Sequence, residues 1–291
     1  MKQQPENQSP TPNVAGSTAE IFKNGHEAEM AGRFDEARTA YEMGLAQSPR
    51  QHPWHYRLGC VLMKMDQNQQ AELCFLKALE LAPGTEAYLT NLGVSLDRQG
   101  RRDDAVRAYR RAIHQGCAST VAHLNLGSIY AEEGRVTEAI KAFESAIALE
   151  PDAEGFHNLG LVHFAGSDFV RALSCFEQAV THDNQFAIGH YYCGLCLMKT
   201  GVYQEACRRF EQAYGQNGNL MRVPFHLGVC LHKMEQYDQA RDKLERALGF
   251  FPEDGRVHYQ LALTCDALGL PQEARLRYSQ ARAARKRDVS F

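Results

Sequence analysis

Small and large apolar residues recur along the chain at an interval of 33 or 34 residues. Each interval carries a glycine that follows a leucine or a cysteine, an alanine twelve residues later, and a large apolar residue four positions after the alanine. Residues four apart lie on the same face of an α-helix, so each interval predicts two helices that pack through small residues. The glycines are Gly59, Gly93, Gly127, Gly160, Gly194 and Gly228; the alanines are Ala71, Ala105, Ala139, Ala172, Ala206 and Ala240; the large residues are Phe75, Tyr109, Phe143, Phe176, Phe210 and Leu244.

The segment between the two helices of each interval carries turn residues. A glycine at this place favours the end of a helix, because glycine adopts a left-handed backbone without strain. Proline closes several second helices, since it cannot continue one. The turn glycines are Gly32, Gly100, Gly134, Gly201 and Gly269, with Asp66 and Glu235 at the same place in two intervals, and the closing prolines are Pro49, Pro83, Pro151 and Pro252.

This pattern resembles the tetratricopeptide repeat, a 34-residue helix–turn–helix unit with small residues at constant positions. Two further units keep the same register at the ends of the pattern. The first contains Gly25, Ala37 and Tyr41, and the last contains Leu261, Ala262, Ala274 and Tyr278. We therefore predict eight repeats, which start near residues 18, 52, 86, 120, 153, 187, 221 and 255.

Repeats of this kind bury apolar surface only by stacking on their neighbours. The resemblance implies an all-α fold, a right-handed α-solenoid superhelix over residues 18–288, whose first helices line a concave groove. Residues 1–17 are rich in proline, glutamine and serine and predict a disordered tail, because they cannot bury enough apolar surface to become ordered. This tail is either a plain flexible segment or one that covers the groove. Residues 289–291 form a short C-terminal tail.

The resemblance also implies which residues of the first helices face the groove, and these fall into three groups. The basic zone contains Lys23, Arg57 and Lys64. The asparagine row contains Asn91, Asn125 and Asn158. The aromatic zone contains Leu161, Phe164, Tyr191, Tyr192, Leu195, Met198, Phe225, Val229 and Tyr259.

The asparagine row has two interpretations. A carboxamide offers donors and an acceptor, so it can pair with the backbone of an extended peptide whatever the peptide's side chains. In this respect the row resembles the asparagine ladder of O-linked N-acetylglucosamine transferases. Alternatively, Asn-Leu-Gly is only a common form of the repeat that serves helix packing.

The aromatic zone has three interpretations. Tyrosines bring a large contact area at low entropic cost, and an apolar patch of this kind is typical of an interaction site. The same side chains could instead belong partly to the core, or be covered by the tail of the chain.

Several kinds of chemistry are disfavoured. Hydrophobic residues make up 44% and charged residues 23% of the 291 residues, and the net charge is -3, which does not favour nucleic acid or an anionic membrane. We expect no membrane span, a cytoplasmic location and reduced cysteines. The CxxC motif of Cys193 and Cys196 lacks a second pair, so packing is favoured over zinc. His123, His190 and His258 share the fourth position of their repeats, which favours a scaffold role, and we expect no metal, no cofactor and no catalytic residue.

The last helix is basic. Its basic residues are Arg275, Arg277, Arg282, Arg285, Lys286 and Arg287. A terminal repeat needs a polar outer face for solubility, and this explains the charges as a solvated cap. Docking of an acidic partner and binding of RNA are the alternatives.

We predict a non-enzymatic adaptor that captures a protein or peptide segment, extended or helical, in the groove. The alternatives are a scaffold that associates with itself into a homo-oligomer, and a targeting subunit for a separate enzyme such as a glycosyltransferase. These classes share one fold, and the sequence leaves the partner open.

Overall fold

The computed structural model describes residues 17–115 and 119–288, and the side chains up to residue 285. These residues form sixteen α-helices joined by short turns, which confirms the predicted all-α class. The first helices of the pairs are α1 (Thr18–Met30), α3 (His52–Lys64), α5 (Glu86–Arg98), α7 (Thr120–Glu132), α9 (Ala153–Ala165), α11 (Ala187–Lys199), α13 (Val223–Lys233) and α15 (Gly255–Ala267). The second helices are α2 (Phe34–Gln47), α4 (Asn68–Leu81), α6 (Arg102–His114), α8 (Val136–Leu149), α10 (Phe169–His182), α12 (Tyr203–Gln216), α14 (Tyr237–Phe250) and α16 (Pro271–Asp288).

The chain forms two compact units, and the division falls inside α7. The first unit ends at Asn125 and the second begins at Leu126. Both are built from the same helix pairs, so the sequence pattern carries no break at this point. The predicted tails lie outside the described residues, except for Ser17, whose side chain accepts a hydrogen bond from the Glu20 amide and caps α1.

The turn inside each pair has a left-handed residue, as the glycines predict. Gly32, Gly100, Gly134, Gly201 and Gly269 have φ between 72° and 84°. Where glycine is missing, Asp66, Ser167 and Glu235 adopt the same backbone with φ of 59°, 60° and 61°. The geometry of the turn is therefore a property of the repeat and not of glycine alone.

The two helices of a pair meet where a glycine faces a ring. A Cβ atom on Gly59 would lie 2.6 Å from the Phe75 ring, and one on Gly160 would lie 2.6 Å from the Phe176 ring. The alanines of the repeat, such as Ala71 and Ala172, are fully buried beside these contacts. This packing fixes the orientation of each first helix and so positions the candidate site.

Candidate functional site

The basic zone lies in the first unit and is organised by a buried carboxylate. Glu29 on α1 is 6% exposed and accepts a hydrogen bond of 3.0 Å from the Tyr41 hydroxyl. Arg57 lies 3.6 Å and Lys64 3.7 Å from the same carboxylate. Burial and then the Glu29 charge raise the pKa of Tyr41, which therefore stays a proton donor. The two cations are thus turned partly toward Glu29, a residue that the sequence analysis did not select.

Lys23, the third residue of the basic zone, is highly exposed. Its ammonium group lies 3.7 Å from the Glu27 carboxylate on the same helix. Exposed pairs of this kind contribute little stability. The three cations of the basic zone therefore share two carboxylates, Glu29 in the core and Glu27 in solvent, and their charge is compensated only in part.

The asparagine row has different surroundings at each member. Asn91 donates a hydrogen bond of 2.9 Å to the Tyr56 hydroxyl, and Asn125 hydrogen-bonds the Tyr109 hydroxyl. Asn158, in the second unit, is half-buried and its amide has no hydrogen-bond partner among the described residues. Since one carboxamide can form several hydrogen bonds, none of the three amides is saturated. The row as a peptide ladder stays a prediction.

The aromatic zone lies in the second unit, and its first members form a stack of rings. The Tyr192 ring lies 5.0 Å, centroid to centroid, from the buried Phe176 ring, and the Phe164 ring meets Tyr192 edge-on at 5.8 Å. His157 packs edge-on against Tyr192 at 5.3 Å. Leu161 and Phe164 are half-buried against the same cluster. One side of each ring therefore belongs to the core.

Tyr191 is held by a histidine of the next repeat. Its hydroxyl lies 3.0 Å from His226 Nε2, and its ring lies 5.9 Å from the Phe210 ring. Burial, helped by the Arg222, Arg256 and Lys199 charges, lowers the pKa of His226 to about 4. His226 is therefore neutral at physiological pH and its ring packs as an apolar group.

The remaining members of the aromatic zone are half-buried, except for the last one, which is exposed. Leu195 and Met198 are half-buried on the core of α11 to α13, and Phe225 is half-buried against the core of α14 and α15. Val229 is half-buried as well. Tyr259 is 53% exposed. The structure thus brings the members onto four consecutive first helices, with part of each side chain in the core and part at the surface.

A cleft that the sequence analysis did not identify lies beside Tyr259. It has a volume of about 1250 Å³ and is formed by α13, the loop before α15, the start of α15 and α16. We call it the end cleft. Asp254 at its edge binds Arg222 and Arg256. Burial alone would raise the pKa of the Asp254 carboxyl, but the hydrogen bonds from the two arginines hold this pKa well below its usual range.

The cysteine and histidine motifs have packing roles. Cys193 and Cys196 are fully buried, and burial raises the pKa of both thiols to about 12, which disfavours the thiolate. No group of three histidine, cysteine or acidic residues in the described ranges could hold a metal ion. His258 Nε2 lies 2.8 Å from the Pro252 carbonyl, and His55, also at a fourth position, repeats this contact with Pro49 at 2.9 Å.

Comparisons with known sequences identify the repeat. A sequence profile described as tetratricopeptide repeat matches residues 56–119, 90–154 and 231–288, which together cover more than half of the chain. A second profile, described as subunit 3 of the anaphase-promoting complex, or cyclosome, matches residues 181–247. A search of curated protein sequences gives no significant match. In the described residues, no helix is both long enough and apolar enough to span a bilayer.

Solved structures of repeat proteins are similar in fold. The C-terminal part of a TPR repeat-containing protein from Cytophaga hutchinsonii is 15% identical with a TM-score of 0.68, over 82% of this chain and 99% of that chain. PilF of Pseudomonas aeruginosa is 22% identical with a TM-score of 0.60, over 77% and 96%. YrrB, described as a TPR protein with an unusual peptide-binding site, is 22% identical with a TM-score of 0.58, over 63% and 95%. At these identities the likeness concerns the fold alone.

Proposed function

The chain belongs to the tetratricopeptide repeat family, a family of protein–protein interaction scaffolds, and we propose that it is a non-enzymatic adaptor whose aromatic zone binds an extended or helical protein segment. One observation carries this proposal. Large apolar side chains on α9, α11, α13 and α15 lie at the surface of one unit, each with one part packed and the other part accessible. A side chain that is already held in place loses little entropy when a partner binds.

The contacts of the zone support such preorganisation. Tyr192 is held by Phe176 and Phe164, and Tyr191 is held by His226. Rigid tyrosines that present a large area are favoured in binding surfaces. A segment that lies across these rings would bury them without rearranging the core.

We assign the asparagine row a supporting role. Asn158 lies on α9, the helix that also carries Phe164, and its amide is free to pair with the backbone of a bound segment. Asn91 and Asn125 already bond to tyrosines in the first unit, so they would contribute less. Glu29 compensates part of the positive charge of Arg57 and Lys64. Only the remaining charge of these two residues would attract an acidic segment.

The proposal is tested with peptides displayed on phage. Random peptides are selected on the wild-type protein, and the affinity of the selected peptides is then measured for the double variant Tyr192→Ala, Met198→Ala. We expect at least a roughly tenfold loss, about 1.4 kcal/mol, because hot spots concentrate in such aromatic anchors. Thermal unfolding reports whether the variant remains folded.

The matched control removes exposed apolar groups from second helices. Val136 on α8 and Val170 on α10 are exposed, and the variant Val136→Ala, Val170→Ala should bind the selected peptides as the wild type does. Failure to select any peptide, or equal affinity for all three proteins, contradicts the proposal.

A further inference from the structure

Inside the repeat array, the end of one helix pair is a socket for the next first helix. In the first pair, the rings of Phe22 and Tyr41 lie 5.8 Å apart, and Trp54 of α3 packs on them at 5.1 and 6.3 Å. Gly44 on α2 makes room for this ring, since a Cβ atom there would lie 1.3 Å from Trp54. The socket therefore consists of two rings and one small residue.

The second pair forms a socket of the same kind. In the second pair, Tyr56 lies 6.0 Å from Phe75, and Tyr88 of the next first helix packs on Tyr56 at 4.7 Å. The small residue corresponding to Gly44 is an alanine in each later pair. Six of these alanines are fully buried: Ala78, Ala112, Ala146, Ala179, Ala213 and Ala247.

The last pair has the socket but lacks its cover among the described residues. Tyr259 and Tyr278 place their rings 5.9 Å apart, and Ala281 is the small residue. Tyr259 is 53% exposed, and Tyr278 and Ala281 are partly exposed. The end cleft opens directly over these three residues, and Phe225 and Phe251 add aromatic walls to it.

The charge of the end cleft distinguishes it from the inner sockets. Arg282 replaces an apolar residue that the seven preceding pairs carry at the same position, namely Leu45, Leu79, Ile113, Ile147, Val180, Tyr214 and Leu248. Arg282 and Arg285 are exposed and form no ion pair within the described part of the chain. The lining includes four arginines but only two carboxylates, Glu253 and Asp254. The cleft therefore carries a net positive charge.

We propose that the end cleft binds an amphipathic α-helix of a partner protein, with a large aromatic residue near its start and acidic residues along one flank. The inference rests on the proposed function in that both take this chain to bind proteins. The two rings and Ala281 fit the aromatic side chain that a first helix inserts, because the socket of the second pair also combines two rings with an alanine, Ala78, and it holds Tyr88. Arg282 and Arg285 select for acidic residues by charge complementarity.

A second copy of this chain fits the end cleft less well. The α1 residues that correspond to Trp54, Leu58 and Val61 of α3 are Glu20, Asn24 and Glu27, and all three are exposed. Helix α1 therefore has acidic charge but no aromatic or aliphatic side chain for the socket. This comparison favours a partner of different sequence.

The test uses a synthetic helix-forming peptide of about 20 residues, since shorter isolated helices are marginal in water. The peptide carries one tyrosine near its start, leucines on the same face and glutamates on the flank, and a second peptide has lysines in place of the glutamates. Fluorescence anisotropy with the full chain measures binding. We expect the acidic peptide to bind at least tenfold more tightly than the basic one.

Two variants locate the site. The double variant Arg282→Glu, Arg285→Glu should bind the acidic peptide at least tenfold more weakly and should no longer prefer it over the basic peptide. The variant Tyr259→Ala should bind both peptides more weakly. The control Arg171→Glu, Arg208→Glu makes the same change in net charge at exposed positions on α10 and α12 and should leave binding unchanged.

Other outcomes overturn the inference. Binding that the Arg282 and Arg285 changes leave intact, or that the control variant loses equally, places the peptide elsewhere. Self-association of the wild type that these changes abolish would make a second copy the occupant. If peptides selected on phage bind the aromatic zone while the acidic peptide does not bind the wild type, this inference is wrong and the proposed function stands. If the acidic peptide binds as expected and no phage peptide depends on Tyr192 and Met198, the proposed function is wrong and this inference stands.

Discussion

At the scale of single residues, the turn inside each helix pair imposes a backbone that three repeats accept without glycine. Asp66, Ser167 and Glu235 have φ near 60°, in the left-handed region that costs a residue with a Cβ atom about 1–2 kcal/mol. The Asp66 carboxylate partly compensates by accepting a hydrogen bond of 2.9 Å from Asn68. No hydrogen bond or ion pair within the described part of the chain holds the Glu235 side chain, so the cost there stays uncompensated.

Replacing Glu235 with glycine should therefore stabilise the protein. We expect Glu235→Gly to raise the free energy of unfolding by about 1 kcal/mol, because glycine adopts this backbone without a steric penalty. Urea unfolding followed by circular dichroism measures the change. Glu235→Ala is the control and should give no such gain, since alanine keeps the Cβ atom. Equal stability of the two variants would contradict this explanation.

The basic zone shows which part of the candidate site a sequence can indicate. The positions of Arg57 and Lys64 on a first helix follow from the repeat. Their shared contact with Glu29 depends on how two neighbouring helix pairs stack, and it joins residues 28 and 35 positions apart. Periodicity places each charge on a helix face but does not say which charges of adjacent helices meet.

At the scale of helices, the approach of a glycine to a ring sets the spacing within each pair. Gly160 on α9 faces Phe176 on α10, which is fully buried. Glycine inside a helix costs about 1 kcal/mol relative to alanine. This cost is tolerated because a Cβ atom would collide with the ring.

The variant Gly160→Ala should be destabilised by about 1–3 kcal/mol, the usual cost of overpacking a core, although alanine favours the helix. Thermal and urea unfolding measure the effect. Gly215→Ala on α12 is the matched control, because a Cβ atom at Gly215 meets nothing within 4 Å, and this change should be neutral or stabilising. A stabilised Gly160→Ala variant would show that Phe176 moves aside without cost.

At the scale of the whole molecule, buried and half-buried histidines make stability depend on pH. Burial lowers the pKa of five of them: His123, His157, His190, His226 and His232. Each is disfavoured in its charged form when the protein is folded, whereas an unfolded chain titrates near 6.5. The unfolded state therefore binds more protons below that pH, and folding stability is lost as the pH falls.

His226 should contribute most within this group. Its pKa of about 4 in the folded protein gives a loss of at most about 3 kcal/mol between pH 6.5 and 4. The stability is fully present above pH 6.5. We expect the urea concentration at the midpoint of unfolding to decrease when the pH is lowered from 7 to 5. The decrease should be smaller in the variant His226→Gln, because glutamine does not take up a proton. An unchanged slope in this variant would assign the pH dependence to other groups.

The repeat explains why so much of the architecture follows from the order of residues alone. A glycine, an alanine and a large residue at constant offsets predict the helix pairs, and the left-handed turn residues mark where each pair bends. These features are local, because they depend on contacts within one repeat. The all-α class and the role of the buried cysteines follow in the same way.

Contacts between repeats could not be predicted from the sequence and are visible only in the three-dimensional structure. Three such contacts are the stacking of Tyr192 on Phe176, the hydrogen bond from the Asn91 amide to the Tyr56 hydroxyl, and the ion pair of Arg57 with Glu29. All three depend on how successive helices stack. The end cleft depends equally on what the last pair leaves uncovered. A periodic sequence offers the same potential contacts in every repeat. Packing in three dimensions decides which side chains are buried in the core and which remain accessible to a partner.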